Sequence, residues 1–426
     1  MTQASTPTVV LLSQGDELLT GQTVDTNAAW LAERLTELGF KVLYGVTAPD
    51  ETGAIKRAVA AAFAAGDVLI CTGGLGPTSD DLTTECVADV ARVQLALHQE
   101  SLDRIVALYA HWGREMPQAN VKQAMIPVGA RVLQNDWGTA PGFELVHTDG
   151  DHACVGFFLP GVPREMRQFW THHLRPALVD RFERPHVRRV ILRCMGIAES
   201  SLEERMRPFA DEPGLTVSFR TKLPENQVKL IFDAGVDEAR ADALAARAKA
   251  VIGSSCFGED TGPIAEVIGQ ALAARGETVA TAESCTGGQI SAQITDVSGA
   301  SRYYLEGSCV YSNAAKVRTC GVEQAALDTH GAVSEVVARQ LAEGIRDRAG
   351  ATYGLATTGI AGPGGGSPEK PVGTVHIALA TPEGTVHRHL KLRGSRERIT
   401  SMAAGLTLDL LRRRLESGPE IDDATH

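Results

Sequence analysis

Positive charge, paired cysteines and long apolar runs are all scarce in this 426-residue chain, and each shortage removes a class of function. Lysine and arginine number 41 against 52 aspartates and glutamates, a formal net charge of -11 whose field repels nucleic acid and anionic membranes. Cys71, Cys86, Cys154, Cys194, Cys256, Cys285, Cys309 and Cys320 are scattered without close pairs. That spacing suggests neither a disulfide framework nor a zinc cluster and fits a reducing compartment. The longest uncharged stretch, 349–368, is too rich in glycine for a membrane helix. No basic residue occurs in 1–8 and no long apolar core precedes Asp16, so a secretory leader is not expected and the chain reads as soluble and cytoplasmic. What is present is ordinary for a globular protein, 43% apolar and 22% charged, with length enough for two or three cores.

Residues 1–170 read as the first domain. An apolar run at 8–12 gives a buried strand, 25–38 a helix with Leu31, Leu35 and Leu38 on one face, 41–46 a strand, 51–65 a helix and 67–71 a strand. Such alternation predicts a parallel sheet with helices on both faces, and in such sheets ligands bind beyond the carboxyl ends of the strands. Those ends carry Gly15-Asp16-Glu17 and Gly73-Gly74-Leu75-Gly76-Pro77-Thr78-Ser79-Asp80-Asp81. Glycines ahead of a helix at 82–90 suit a phosphate, and carboxylates beside a phosphate call for a divalent, oxygen-ligated cation. Helix capping is the alternative role for the two aspartates.

Residues 171–255 alternate strand (187–194), helix (200–209), strands (215–219 and 227–232) and helix (236–251), the last started by Asp237 and stopped by Gly253. This is a small α+β module. It has no Gly-x-x-Gly loop to clamp a nucleic-acid backbone, so a spacer or dimerisation role fits better. Ser218 to Lys222 and Lys229 either reach a neighbouring phosphate or face solvent. The small and polar residues of 254–263 mark the boundary to the last domain, 256–416, which is followed by a tail at 417–426.

In that last domain Thr281-Ala282-Glu283-Ser284-Cys285-Thr286-Gly287-Gly288 lies between a strand and a helix at 289–297. A serine at such a turn, beside paired glycines and free helical N–H groups, is well placed as a nucleophile. It needs a base, and Lys316 is the candidate, with Tyr311 as proton relay or donor. Ser284 as a helix cap and Lys316 in solvent is the plain alternative, and Cys285 is a second candidate nucleophile. The amides of Thr286, Gly287 and Gly288 would meet an oxyanion. The loop 359–366, with Gly359, Gly362, Gly364, Gly365 and Gly366 after Thr357 and Thr358, fits a backbone that cradles phosphate or ribose.

Ala282-Glu283-Ser284-Cys285-Thr286-Gly287-Gly288, Tyr311-Ser312-Asn313, Gly331-Ala332-Val333-Ser334, Gly359-Ile360-Ala361-Gly362-Pro363 and Lys370-Pro371-Val372-Gly373-Thr374-Val375 together resemble the C-terminal domain of the competence/damage-inducible CinA family, also found alone as nicotinamide-nucleotide amidase. The resemblance implies hydrolysis of nicotinamide mononucleotide to nicotinate mononucleotide and ammonia, with Ser284 as nucleophile, Lys316 as base, Tyr311 assisting, and no metal. The loop at 73–81 resembles that of the molybdopterin-binding fold. With Gly15-Asp16-Glu17-Leu18-Leu19, Asp25-Thr26-Asn27 and Pro160-Gly161-Val162-Pro163-Arg164-Glu165-Met166 it takes the form seen in the same family. This implies a three-layer α/β first domain, a KH-like middle module and a C-terminal α/β deamidase domain.

For the first domain the resemblance implies a metal-dependent ADP-ribose pyrophosphatase. Asp80 and Asp81 would be catalytic, Asp16, Glu17, Asp81 and Glu165 would surround a magnesium-like ion, and Asn27, Gly73, Gly74, Gly76 and Thr78 would hold substrate. A homodimer is implied as well. Molybdopterin adenylylation is the rival activity for this domain. A competence-associated interaction protein with degenerate sites is the rival for the whole chain.

Overall fold

A computed structural model describes residues 6–183, 187–233 and 235–418, which divide into two compact units at Val187/Arg188. The residues read for a leader at 1–5 and most of the expected tail, 419–426, lie outside the described residues.

In the first unit the strands are β1 (Thr8–Gln14), β2 (Lys41–Ala48), β3 (Val68–Thr72), β4 (Leu95–Leu97), β5 (Met125–Pro127), β6 (Arg131–Leu133), β7 (Gly142–Asp149) and β8 (His152–Leu159). The main sheet runs β2-β1-β3-β8-β7-β6, parallel from β2 to β8 and antiparallel beyond, while β4 and β5 form a separate ribbon. Strand alternation decides the layers. Val9 and Leu11 face one core with Leu31 and Leu35 of the helix Thr26–Glu37, and Val10 and Leu12 face the other with Ile55, Val59 and Phe63 of Thr52–Ala65. Each such buried aliphatic or aromatic side chain contributes about 1.5–3 kcal/mol. The unit continues past the expected boundary at 170, because helical turns through Arg181 bury Leu174 and Leu178 against the sheet.

The second unit holds two sheets. Its strands are β9 (Arg188–Cys194), β10 (Leu215–Lys222), β11 (Glu225–Phe232), β12 (Cys256–Glu259), β13 (Val279–Glu283), β14 (Tyr304–Cys309), β15 (Tyr353–Gly359), β16 (Thr374–Thr381) and β17 (Gly384–Lys391). The first sheet, β10-β11-β9-β12, is antiparallel throughout and packs the helices Glu199–Met206 and Glu238–Ile252. The segment read as a boundary therefore contributes a strand: Cys256 and Phe257 are apolar and buried, so 256–259 pairs with β9 instead of running as a linker.

The second sheet runs β14-β13-β15-β16-β17, with β13 between β14 and β15 and parallel to both. One face presents Val279, Leu355 and Ile377 to the helices Ile264–Arg275 and Arg396–Ser417. The other presents Ala280, Ala282, Ala356 and Ala378 to the helix Glu335–Ala349, small residues that let it approach closely. The last helix is anchored by a buried charge network rather than by apolar contact alone. Asp409 accepts from Arg412 Nε at 2.8 Å and Arg413 Nε at 2.7 Å, and Arg412 Nη2 reaches the Ser254 carbonyl at 2.7 Å. Among the described residues, no helix is long and apolar enough to cross a membrane.

Candidate active sites

Ser284 follows the last residue of the interior strand β13. Its N–H donates to the Thr357 carbonyl of β15 at 3.1 Å, and the Gly287 N–H closes a turn by donating to the Ser284 carbonyl at 3.2 Å. Gly288, at φ 97°, then takes a backbone conformation that side chains resist before the helix Gln289–Thr295 begins. What fixes this turn is Glu283, wholly buried at the strand end. Its Oε2 accepts from Thr286 Oγ1 at 2.7 Å and from the amides of Gly288 at 3.0 Å and Ile290 at 3.1 Å. Its Oε1 accepts from the Ser291 amide at 2.8 Å and Ser291 Oγ at 2.7 Å. Burying a carboxylate costs several kcal/mol, and five donors offset that cost.

The network corrects two expectations. The Gly288 amide and the first helical amides do not await an oxyanion, because Glu283 occupies them. The side chains of Thr286 and Thr357 do not face a ligand either. They are 2% and 0% exposed, and their hydroxyls bond each other at 2.8 Å beneath the turn.

Lys316 comes from the helix Asn313–Cys320, whose start is capped by Ser312 accepting from the Ala315 amide at 3.1 Å. Its side chain is only 1% exposed, and Nζ lies 3.1 Å from Ser284 Oγ, 2.8 Å from the Val310 carbonyl and 3.2 Å from the Tyr311 carbonyl. An amine has four bonding directions, one taken by its own carbon. Two of the other three meet carbonyls, which only accept, so the third falls to the serine oxygen. Burial lowers the Lys316 pKa below its ordinary value, and among the described residues no carboxylate is paired with it to restore the charge. A neutral amine here turns its lone pair toward the Ser284 hydroxyl.

Cys285, beside the serine, belongs to the apolar core, and burial pushes its thiol up to about 11. This is the profile of an inert thiol. Tyr311 is expected as a relay, yet it is its carbonyl that meets Lys316, while its hydroxyl accepts from Arg396 Nη2 at 3.0 Å on the exposed side. Arg396 also holds the Gly362 carbonyl through Nη1 at 2.8 Å, so one guanidinium spans the tyrosine and the glycine-rich loop. Gly364 and Gly365 are exposed along that loop, whereas Gly359 packs on Val375. Lys370 Nζ donates to the carbonyls of His330 and Val333, each at 2.8 Å, and Thr358 Oγ1 to Ala332 at 2.7 Å. The Gly331–Ser334 motif thus anchors the loop.

In the first unit a cavity of about 390 Å³ opens at the carboxyl ends of β1, β3 and β8. Its wall includes Gly73, Gly74 and Gly76 and the carboxylates of Glu17, Asp50, Asp80, Asp81 and Glu165. Gly73 has φ 104°, and a side chain there would come within 2.5 Å of the Gln14 carbonyl, so only glycine fits. Asp81 Oδ2 accepts from the Thr78 amide at 2.9 Å and from the Thr78 hydroxyl, and Glu165 Oε2 accepts from Asn135 Nδ2 at 2.7 Å. Capping is not the aspartates' role: the helix Thr83–Ala91 starts at Leu82 without a side-chain cap. Hydrogen bonding from Thr78 keeps the Asp80 carboxyl below its ordinary pKa.

Three expected residues sit elsewhere: Thr78 is off the cavity wall, its amide and hydroxyl both given to Asp81, and two more lie apart from it. Asp16 is off the wall, its Oδ1 accepting from the Asp50 amide at 3.1 Å while Asp50 Oδ2 accepts from the Asp16 amide at 3.0 Å. Asn27 is buried and ties its helix to the Gly161 carbonyl at 2.7 Å. Among the described residues no three acidic, histidine or cysteine side chains converge as a ready-made metal site. A magnesium ion bound with a nucleotide needs only one or two carboxylates, with phosphate oxygens and water completing its shell. Glu17, Asp81 and Glu165 fit that requirement; Asp16 does not.

Sequence reasoning missed Glu283 as the organiser, Arg396 as the bridge, and Gln14 and Asp50 on the first cavity. Only Glu283 and Gln14 carry a signal, a polar residue ending an otherwise apolar buried strand.

Comparison with known proteins covers both units. The family model described as CinA C-terminal domain matches 261–415, and that described as probable molybdopterin binding domain matches 10–180. A CinA-like protein of Anaeromyxobacter dehalogenans (strain 2CP-C) is 42% identical over 415 residues, spanning 95% of this chain and 98% of its own length. One from Synechocystis is 41% identical over 416 residues, spanning 96% and 99%. The crystal structure of competence/damage inducible protein CihA from Agrobacterium tumefaciens is 37% identical, covers 36% of this chain and 97% of its own, and has a TM-score of 0.34.

Proposed function

Because the chain belongs to the CinA family, we propose that its second unit hydrolyses the carboxamide of nicotinamide mononucleotide to nicotinate mononucleotide and ammonia. The observation that carries this reading is the buried contact of 3.1 Å between Lys316 Nζ and Ser284 Oγ. Neutral Lys316 takes the hydroxyl proton as Ser284 Oγ attacks the carboxamide carbon, giving a tetrahedral intermediate. The turn's remaining amide at Thr286 is the donor for its oxyanion. Collapse breaks the C–N bond, and the lysine ammonium hands its proton to the departing nitrogen, which leaves as ammonia. Water, deprotonated by the same amine, then cleaves the acyl ester and restores Ser284. Arg396 and the exposed amides of the glycine-rich loop suit the substrate's phosphate.

For the first unit we propose cleavage of the pyrophosphate of ADP-ribose to AMP and ribose 5-phosphate. It is supported by a strand-end cavity that combines a glycine loop with the carboxylates of Glu17, Asp81 and Glu165. A divalent cation held there would neutralise phosphate charge. Its rival, handling of a molybdopterin, is suggested by the family described as probable molybdopterin binding domain.

The test is ammonia release from nicotinamide mononucleotide and AMP release from ADP-ribose, each with and without chelator. Chelator-resistant ammonia release that vanishes in Ser284→Ala supports the deamidase; no release by folded protein refutes it. AMP release that chelator abolishes supports the pyrophosphatase, and its absence with magnesium present refutes it.

A further inference from the structure

A cavity of about 780 Å³ in the second unit is lined by residues other than Ser284, where the antiparallel module meets the last sheet and the last helix. Small-molecule pockets run from about 300 to 1,000 Å³ and favour such junctions. Its apolar lining comes from both sides: Ile197, Leu223 and Pro224 from the module, Leu392 from the end of the last sheet, and Met402 and Leu406 from the helix Arg396–Ser417. Arg398, Met402 and Leu406 are spaced by four, so they form one stripe along that helix. The junction is tightly made, because a side chain at Gly405 would come within 2.5 Å of Pro224.

The rim carries more positive than negative charge. Lys391 and Arg398 line the cavity, both exposed, and no ion pair of either is seen among the described residues. Glu199 is the single carboxylate of the lining; it accepts from the Thr221 hydroxyl, which does not cancel its charge, and the two cations outnumber it. In a chain whose formal charge is -11, two unpaired cations over an apolar floor are the complement of an amphipathic anion. Arg396, two residues before Arg398, points instead to Tyr311 and Gly362, so the first turn of this helix serves both places.

We propose that this cavity is a second ligand site of the unit, taking a small anion that has an apolar ring or chain and one acidic group. The apolar body lies against Met402, Leu406 and Leu392, and the acidic group meets Lys391 and Arg398. The site stands whether or not the unit is a deamidase.

Titration of the full chain with 8-anilinonaphthalene-1-sulfonate, two aromatic groups bearing one sulfonate, tests it by fluorescence. One saturable site is expected. Replacing both exposed cations, Lys391→Gln with Arg398→Gln, weakens it on the order of tenfold or more, the scale of a lost charge-assisted contact. Met402→Trp, which fills the floor, abolishes it. The neutral probe N-phenyl-1-naphthylamine binds more weakly and ignores the charge change. Equal sulfonate affinity in the folded wild type and the double variant overturns the proposal. So does the absence of saturable binding, or its loss as protein concentration rises, which would show a second copy covering the cavity.

Discussion

Ser284 directly follows β13 and Asp81 lies in the glycine loop after β3, each beyond the carboxyl end of an interior strand, yet their surroundings differ in kind. Around Ser284 the polar groups are held by protein: Glu283 is saturated by five donors, Thr286 and Thr357 bond each other, and Lys316 is pinned by two carbonyls. Around Asp81 the carboxylates of Glu17, Asp80 and Glu165 stand on an open wall without a cation among them. The first arrangement sets a hydroxyl against a buried amine, the nucleophile and base of the proposed reaction. The second gathers carboxylates on its wall, so the cleavage proposed for it would draw on a ligand that supplies positive charge. A buried, self-sufficient site should be insensitive to metal and intolerant of small changes in its hydrogen bonding; an open, acidic one should show the reverse.

The largest effect that would break this contrast is at Ser284. Ser284→Ala should lower the rate of ammonia release by about 10⁶-fold, the scale seen when a nucleophile acting with its base is removed, and leave AMP release unchanged. Steady-state assays of both products on one preparation decide it. Chelation, or Asp81→Ala, should do the opposite, cutting AMP release by about 10²-fold or more with ammonia release intact. Loss of both activities in either folded variant would mean the sites are not independent.

Glu283→Gln sharpens the comparison. It sets an NH₂ group among donors that need an acceptor, and should cost about 2–4 kcal/mol by denaturant unfolding, with kcat for ammonia release falling more than KM changes. An unchanged midpoint would remove Glu283 from its organising place. Smallest of all should be Cys285→Ala, within about threefold in rate and about 1–2 kcal/mol in stability, because its thiol is buried and held near 11. A collapse of activity there would make the cysteine the nucleophile.

How far these sites were legible in the sequence follows from which forces are local. The alternation Val9/Val10/Leu11/Leu12 states two buried faces, and the β1–β3 layering follows it. Ser284 and Lys316 are readable because a strand-to-helix turn and a capped helix place them independently. Arg396 is not readable, since it meets Tyr311 and Gly362 only after the last helix docks. Strand β12 was hidden for a similar reason: a small, polar-looking segment pairs only when β9 is already in place. Asp16 misled because acidic residues at a strand end look alike until Asp50, from the next crossover, takes one of them.

The most direct test is the pH dependence of ammonia release by the wild type and Lys316→Met. Burial holds the Lys316 pKa below 10.5, so the amine becomes the neutral base earlier than an exposed lysine would. The unfolded chain binds the proton more tightly than the folded one, so in the window between the lowered value and 10.5 stability relative to Lys316→Met should rise with pH. The account predicts that the wild-type rate climbs with pH and levels off below 10.5, while Lys316→Met is flat and at least about 10³-fold slower. A Lys316→Met enzyme that keeps the wild-type rate, or a wild-type rate that falls as pH rises toward that value, would contradict it.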